Sequence, residues 1–146
     1  MAVAAATFRR ATAADIPAMS RIRLAVTEYR LRDPSRVTRQ MYEDFLERDG
    51  RGWVAQIDGV VVAFSYANGL DGSIWALFVD PGHEGKGLAR ALLGLATAWL
   101  FDMGFAEITL ETGAGTRADD FYARQGWTKE RANASDIRYT LARPVP

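Results

Sequence analysis

One stretch constrains this chain more than any other, the run from Ile74 to Gly104. It opens with the apolar segment Ile74 to Val79, turns through Asp80-Pro81 into Gly82-His83-Glu84-Gly85-Lys86-Gly87, and continues as a long apolar-faced segment that stops at Gly104. An apolar run with almost no alternation predicts a central strand covered on both faces. Leu88, Leu92, Leu95, Trp99 and Met103 recur at helical spacing and predict the inward face of a helix, with Gly104 as its C-terminal cap. Strand, glycine-rich turn and helix N-terminus in succession make an anion site. The first helical N–H groups lack partners inside the helix, and the helix dipole favours negative charge there. The next strand, Ala106 to Leu110, must run parallel to the first, because a helix of this length joins them as a crossover.

The remaining chain supplies a sheet around that unit. Thr7 to Arg10 reads as a first strand with Phe8 inward, followed by a helix with Asp15 as N-cap and Pro17 in its first turn. Met19, Ile22, Val26 and Tyr29 form the apolar stripe of that helix. Thr38 can cap a second, shorter helix facing inward through Met41, Tyr42 and Phe45 and ended by Gly50 and Gly52. Trp53 to Ile57 and Val60 to Ala67 are separated only by Asp58-Gly59, a two-residue hairpin signal. Beyond the central unit, Gly113-Ala114-Gly115 is a loop, and Thr116 caps a last helix with Ala118, Phe121 and Tyr122 inward. Trp127 to Lys129 and Ile137 to Leu141 form a closing hairpin around the loop Arg131 to Asp136. The order is β-α-α-β-β-β-α-β-α-β-β, a mixed α/β fold with one sheet flanked by helices on both faces. One domain is expected over residues 1–146, with 143–146 frayed.

Composition narrows the chemistry. Eighteen basic and eighteen acidic residues cancel, so net charge makes no case for nucleic acid or an anionic membrane. The absence of cysteine removes disulfides, thiolate zinc sites and cysteine nucleophiles, and a single histidine, His83, argues against a histidine metal site. Met1 to Ala6 lacks the basic region of a signal peptide, and no window approaches the ~20 apolar residues of a membrane span. These features point to a cytoplasmic protein.

The central loop fits neither common nucleotide signature. Lys86 is followed by Gly87 rather than Ser or Thr, which excludes a Walker A loop, and the position and glycine spacing exclude a dinucleotide fingerprint. Gly85, Gly87 and Ala89 let backbone amides approach an oxygen anion closely. The segment resembles motif A of the GNAT superfamily, the acetyl-coenzyme A-dependent N-acetyltransferases. That motif is a strand ending in Val-x-Pro, then Gln/Arg-x-x-Gly-x-Gly/Ala at the head of a helix. Here the strand end is Val79-Asp80-Pro81 and the loop is Glu84-Gly85-Lys86-Gly87-Leu88-Ala89. Phe121-Tyr122-Ala123-Arg124-Gln125-Gly126-Trp127 is similar to the family's Phe-Tyr-x-x-x-Gly-Phe/Trp segment, and the element order matches over nearly the whole chain.

The resemblance implies acetyl-coenzyme A as cosubstrate, with no metal, and direct attack of an amine on the thioester. It implies that the amides of Glu84, Gly85, Lys86, Gly87, Leu88 and Ala89 hold the pyrophosphate. It also implies that Leu77, Phe78 and Val79 pair with the pantetheine arm like an added strand, with an oxyanion donor near Phe78 or Val79. Tyr122 matches the family tyrosine, the acid for the leaving thiolate and a further ligand contact. The base is open among Glu111, Glu28, Asp71 and a water chain, because an alkyl amine with a pKa near ~10 must lose a proton. Glu28, Tyr29 and Tyr66 are candidate acceptor-site residues, with Trp75 closer to core. Two positions depart from the pattern: Glu84 stands where Gln or Arg is usual, and Gly115 where many members have Asn. Arg21, Arg23, Arg30, Arg32, Arg36 and Arg39 are set against only Glu28 and Asp33. They suggest an acceptor that also carries a carboxylate or phosphate, read by guanidinium forks, unless they form a solvated face. The expected partner is a small-molecule or protein amine, with a C-terminal edge strand on which two copies could pair. The alternatives are a non-catalytic acyl-coenzyme A-binding domain on the same fold and an unrelated phosphate-binding module.

Overall fold

A computed structural model of the chain describes residues 5–26, 40 and 48–144. Its core element is a seven-stranded sheet in the order β1-β2-β3-β4-β5-β7-β6. The strands are β1 (Thr7–Arg10), β2 (Gly50–Ile57), β3 (Val60–Asn68), β4 (Ser73–Val79), β5 (Glu107–Gly113), β6 (Thr128–Arg131) and β7 (Asp136–Ala142). All neighbours are antiparallel except β4 and β5, which are parallel as their crossover requires. Helix α1 (Ile16–Ala25) covers one face; α2 (Leu88–Asp102) and α3 (Arg117–Arg124) cover the other. The second helix expected from Thr38, with Met41, Tyr42 and Phe45, lies outside the described residues.

The β2–β3 hairpin turns through Asp58 at φ 53° and Gly59 at φ 77°. Two left-handed residues in a two-residue loop match the strand twist, which is why Asp-Gly was so informative. Gly50 and Gly52 lie at the start of β2, whose backbone bonds to β3 do not depend on side chains. Phe8 is exposed rather than inward, because β1 is an edge strand with every residue open to water. Asp15 ends a 3-10 turn before α1, and its carboxylate accepts the Thr12 N–H at 2.8 Å while pairing with Arg9. The helix start therefore lies at Thr12, one short turn earlier than an Asp15 cap implies. Met19 and Ile22 are fully buried as expected, whereas Val26 is already past the end of α1 and Tyr29 is not among the described residues.

On α2 the buried face is Leu88, Leu92, Leu93, Ala96 and Leu100. Leu95 and Met103 are exposed, so the inward stripe is rotated from the one read by spacing. The helix is apolar enough on two sides to fit either stripe, and the sheet selects one. Gly104 closes it at φ 105°. On α3, Ala118 faces water and Asp119 is buried in its place, because a polar network awaits it. The closing hairpin forms, but its first strand starts after Trp127 and both strands run further into the turn than read, taking in Arg131 and Asp136. Its edge strand, Thr128–Arg131, is fully exposed and mostly charged, a composition that resists strand pairing with another chain.

Candidate active site

β4 carries a bulge at Trp75: Tyr66 pairs with Ala76, and the adjacent Ala67 already pairs with Ile74. Ile74, Leu77 and Val79 consequently pack on the α2 side, while Trp75, Ala76 and Phe78 pack on the α1 side. β4 meets β5 through one register pair, Ser73 with Thr109. β5 then follows β7 over its whole length, and β4 follows β3. The two strands part, so Leu77, Phe78 and Val79 are only half-buried although β4 is fourth of seven. The expectation of full cover on both sides fails at this end. The backbone groups that alternate residues of β4 direct toward β5 lie along an open flank.

The chain leaves β4 into a short 3-10 turn, Pro81–His83. The Asp80 carboxylate accepts the Gly82 N–H at 3.0 Å, the Asp80 carbonyl accepts the His83 N–H at 2.8 Å, and the Asp80 N–H donates to the Val62 carbonyl at 2.8 Å. Thus Val79-Asp80-Pro81 aims the loop as well as ending the strand. Gly85 and Gly87 adopt φ 78° and 77°, and a Cβ at either would meet no heavy atom within 4 Å. The first helical bond of α2 is donated by Ala91 to the Gly87 carbonyl. The N–H groups of the first turn, Leu88 to Arg90, therefore have no partner within α2, and they follow two glycines that face open space. Such a set suits an oxyanion.

Charged side chains around the loop are engaged with one another. The Lys86 ammonium lies 2.9 Å from His83 Nδ1, to which it can only donate. Glu84 is ion-paired with Arg117, at the start of α3, with Nη1 2.9 Å from Oε2.

α3 begins where the Thr116 hydroxyl accepts the Asp119 N–H at 3.2 Å. Tyr122 is 6% exposed, and its ring packs on Phe121, Trp127 and Tyr139 at centroid distances of 5.2, 6.1 and 5.6 Å. Burial pushes its hydroxyl well above the ordinary tyrosine range, so it remains protonated at neutral pH. Asp119 anchors the helix. Its carboxylate accepts from the Tyr139 hydroxyl, from the Gly115 N–H at 2.9 Å and from Lys129 Nζ at 3.1 Å. Gly115, at φ 76°, thus stands in the place of an Asn with its amide turned inward.

Glu111 is exposed on β5 and paired with Arg138 of β7 at 2.8 Å; Arg138 also reaches Glu130 at 4.0 Å. By continuation of the Ser73–Thr109 register, Glu111 lies where β4 and β5 begin to part. Two candidates are corrected. Tyr66 is completely buried, with its ring edge-on to Phe64 and Trp75, and is a core residue rather than a pocket wall. Asp71 accepts from the Ser73 N–H and hydroxyl at 3.0 and 2.6 Å and serves the turn, not proton transfer. Glu28 and Tyr29 lie outside the described residues, as do Arg30, Arg32, Arg36 and Arg39; of the other two arginines, Arg23 is buried and Arg21 reaches the Val61 carbonyl at 3.4 Å. Arg117 and Asp119 were not singled out from sequence. Among the described residues, no group of His, Asp or Glu is placed to hold a metal ion, and no helix is long and apolar enough to cross a membrane.

Comparison with known proteins gives a consistent set. The Acetyltransferase (GNAT) family model matches residues 18–127. A mycothiol acetyltransferase of Propionibacterium freudenreichii is 30% identical over 113 residues, 73% of this chain, and the match spans 35% of that relative's length. An aminoglycoside N(6')-acetyltransferase type 1 of Stenotrophomonas maltophilia is 28% identical over 124 residues, 77% of this chain and 78% of the relative. The crystal structure of PaiA N-acetyltransferase from Thermoplasma acidophilum, in complex with coenzyme A, has a TM-score of 0.82 at 14% identity. That likeness covers 95% of this chain and 99% of the other and is one of fold.

Proposed function

This chain belongs to the GNAT acetyltransferase family, and from that premise we propose that it moves an acetyl group from acetyl-coenzyme A to a primary amine of a small molecule or protein. Residues 1–146 act in this reading as one acetyltransferase domain. The observation that carries it is the first turn of α2, whose N–H groups from Leu88 to Arg90 have no partner within the helix, set behind two left-handed glycines with open space above them. A pyrophosphate needs several backbone donors at close range, and the loop offers them without a side chain in the way. The open flank of β4 supports the second half of the site. Leu77 and Val79 turn their backbone groups to that flank, where an extended ligand arm could use them as an added strand would, while Phe78 between them turns its own toward Phe64 of β3. Amides of the same segment are suited to stabilise a developing oxyanion.

When bound, acetyl-coenzyme A supplies a thioester carbonyl; the chain supplies donors and proton traffic. The amine nitrogen forms a bond to the carbonyl carbon, the carbon–sulfur bond breaks, and the sulfur departs as thiolate. Glu111 is assigned as acceptor of the amine proton, because it is the described carboxylate at the parting of β4 and β5. Arg138, 2.8 Å away on β7, fixes the position of its carboxylate. Tyr122 is assigned as donor to the departing sulfur. Its hydroxyl is a weaker acid than an ordinary thiol of pKa about 8.5. It therefore shares its proton as the bond breaks rather than ionising beforehand, and solvent restores any proton it gives up.

The deciding experiment measures release of free coenzyme A thiol from acetyl-coenzyme A across a panel of amines, including aminosugars and protein N-terminal peptides. Amine-dependent release with a matching acetylated product is expected. Tight coenzyme A binding without release for any amine would refute the catalytic reading and leave an acyl-coenzyme A-binding domain.

A further inference from the structure

The loop that offers its amides to a pyrophosphate starts with the wrong charge. Glu84 directly precedes Gly85, and a bare carboxylate there would repel any ligand carrying phosphate charges. The structure gives that carboxylate a partner from a different element. Arg117 is the first residue of α3, and its Nη1 stands 2.9 Å from Glu84 Oε2. The nearer cation in sequence, Lys86, is engaged with His83 instead.

The pair does not look like a stability device. The Arg117 side chain is 71% exposed and that of Glu84 is 35% exposed. Ion pairs this open to water add little to folding. Their effect on a third charge is another matter. At position 84 itself a ligand phosphate above the loop meets a negative charge if Glu84 stands alone and a neutral pair if Arg117 accompanies it, with Lys86 the same in both cases. Water and salt weaken this effect but do not remove it at contact range.

We infer that Arg117 sets coenzyme affinity by masking Glu84, so that two residues on separate elements together replace the neutral or cationic side chain usual at position 84. Arg117 is in this account a positioning and charge-masking residue, not a catalytic one. The inference rests on the reading of the loop as a pyrophosphate cradle.

The test is calorimetric titration of coenzyme A into the full chain and its R117A, E84Q, R117A/E84Q and R117K variants, at low and high salt. Thermal midpoints check that each variant is folded. R117A should weaken binding about tenfold at low salt, equivalent to about 1.4 kcal/mol, and the deficit should shrink as salt rises. Removing the exposed carboxylate as well should restore affinity, so R117A/E84Q should lie within about threefold of wild type, and R117K should recover much of the loss. A double variant as weak as R117A would overturn the inference, since Arg117 would then act without Glu84. R117A binding like wild type would overturn it too, while leaving the pyrophosphate cradle intact. A wild-type chain that does not bind coenzyme A would overturn the cradle as well.

Discussion

Asp119→Asn tests the anchor of the helix that carries Tyr122. Asp119 is 6% exposed, yet its carboxyl is held at about 2, against an ordinary 3.8. The Tyr139 hydroxyl is the largest cause, the Gly115 N–H follows, burial opposes them, and Lys129 adds a smaller share. The difference, 3.8 less about 2, is worth about 2.4 kcal/mol at 1.36 kcal/mol for each pH unit. Lys129 is 49% exposed, so water and salt screen its part, and about 1.5–2 kcal/mol is the expected net value. The sign follows from a folded value below the unfolded one. The contribution is complete above about pH 5 and is lost as pH falls through 4 toward 2. Asn cannot ionise, so the variant lacks this term at every pH. Urea unfolding followed by tryptophan fluorescence, at several pH values from 7 to 3, measures the gap between the two proteins. The gap should be widest at pH 7, where the variant's thermal midpoint should also fall by about 5–8 °C, and it should narrow steadily with acid. Parallel stability curves, with the gap unchanged by pH, would refute the assignment of this stability to the Asp119 carboxylate.

Three further outcomes are expected. Tyr122→Phe should lower turnover about 100-fold with coenzyme A affinity within about threefold of wild type; because burial raises the hydroxyl's pKa, its ionisation should cause no loss of activity as pH rises from 7 to 9. Glu111→Gln should cut turnover about tenfold near neutral pH while leaving coenzyme A affinity unchanged, and an unaltered rate would assign the amine proton to water. Gly87→Val should weaken coenzyme A binding by more than about tenfold in calorimetry and cost about 1–2 kcal/mol in stability, since a branched residue must adopt φ 77°; unchanged affinity would remove the loop from the ligand site.

Much of the scaffold was legible because its signals are local. Asp58-Gly59 names its own turn type, Thr116 its helix start, and the glycines of the loop their left-handed backbone. The parallel relation of β4 and β5 followed from the length of the helix between them. What was not legible depends on partners distant in sequence. Asp119 reads as a polar residue at the start of a helix, and nothing near it announces Tyr139 or Lys129. Glu84 read as an anomaly because Arg117 is more than thirty positions away. Tyr66 carried an ambiguous signal, an amphipathic ring in an apolar strand, and the packing of Phe64 and Trp75 resolves it as core.

The parting of β4 from β5, on which the proposed site depends, was also invisible in the sequence. A flat sheet would have paired the two strands along their full length and left no backbone groups free. Three features accompany the parting. The bulge at Trp75 turns β4 more strongly than its neighbour. β5 is in continuous register with β7 from Glu107 to Gly113, so it follows the course of that strand. Gly72 joins the halves at their base, where its carbonyl accepts the Thr109 N–H at 3.2 Å and its α-carbon packs so closely on Phe105 that a Cβ would lie 2.7 Å from the ring. The halves are thus pinned tightly at one end and free to diverge at the other. The glycine loop leaves β4 at the divergent end, and Glu84 with Arg117 ties that loop to α3 on the other half. In the proposed reaction the ligand arm and the loop amides would be served by one strand, while Tyr122 and the Glu111 carboxylate come from the other half. An acyl group held along β4 would be presented across the gap to groups that β4 itself could not supply.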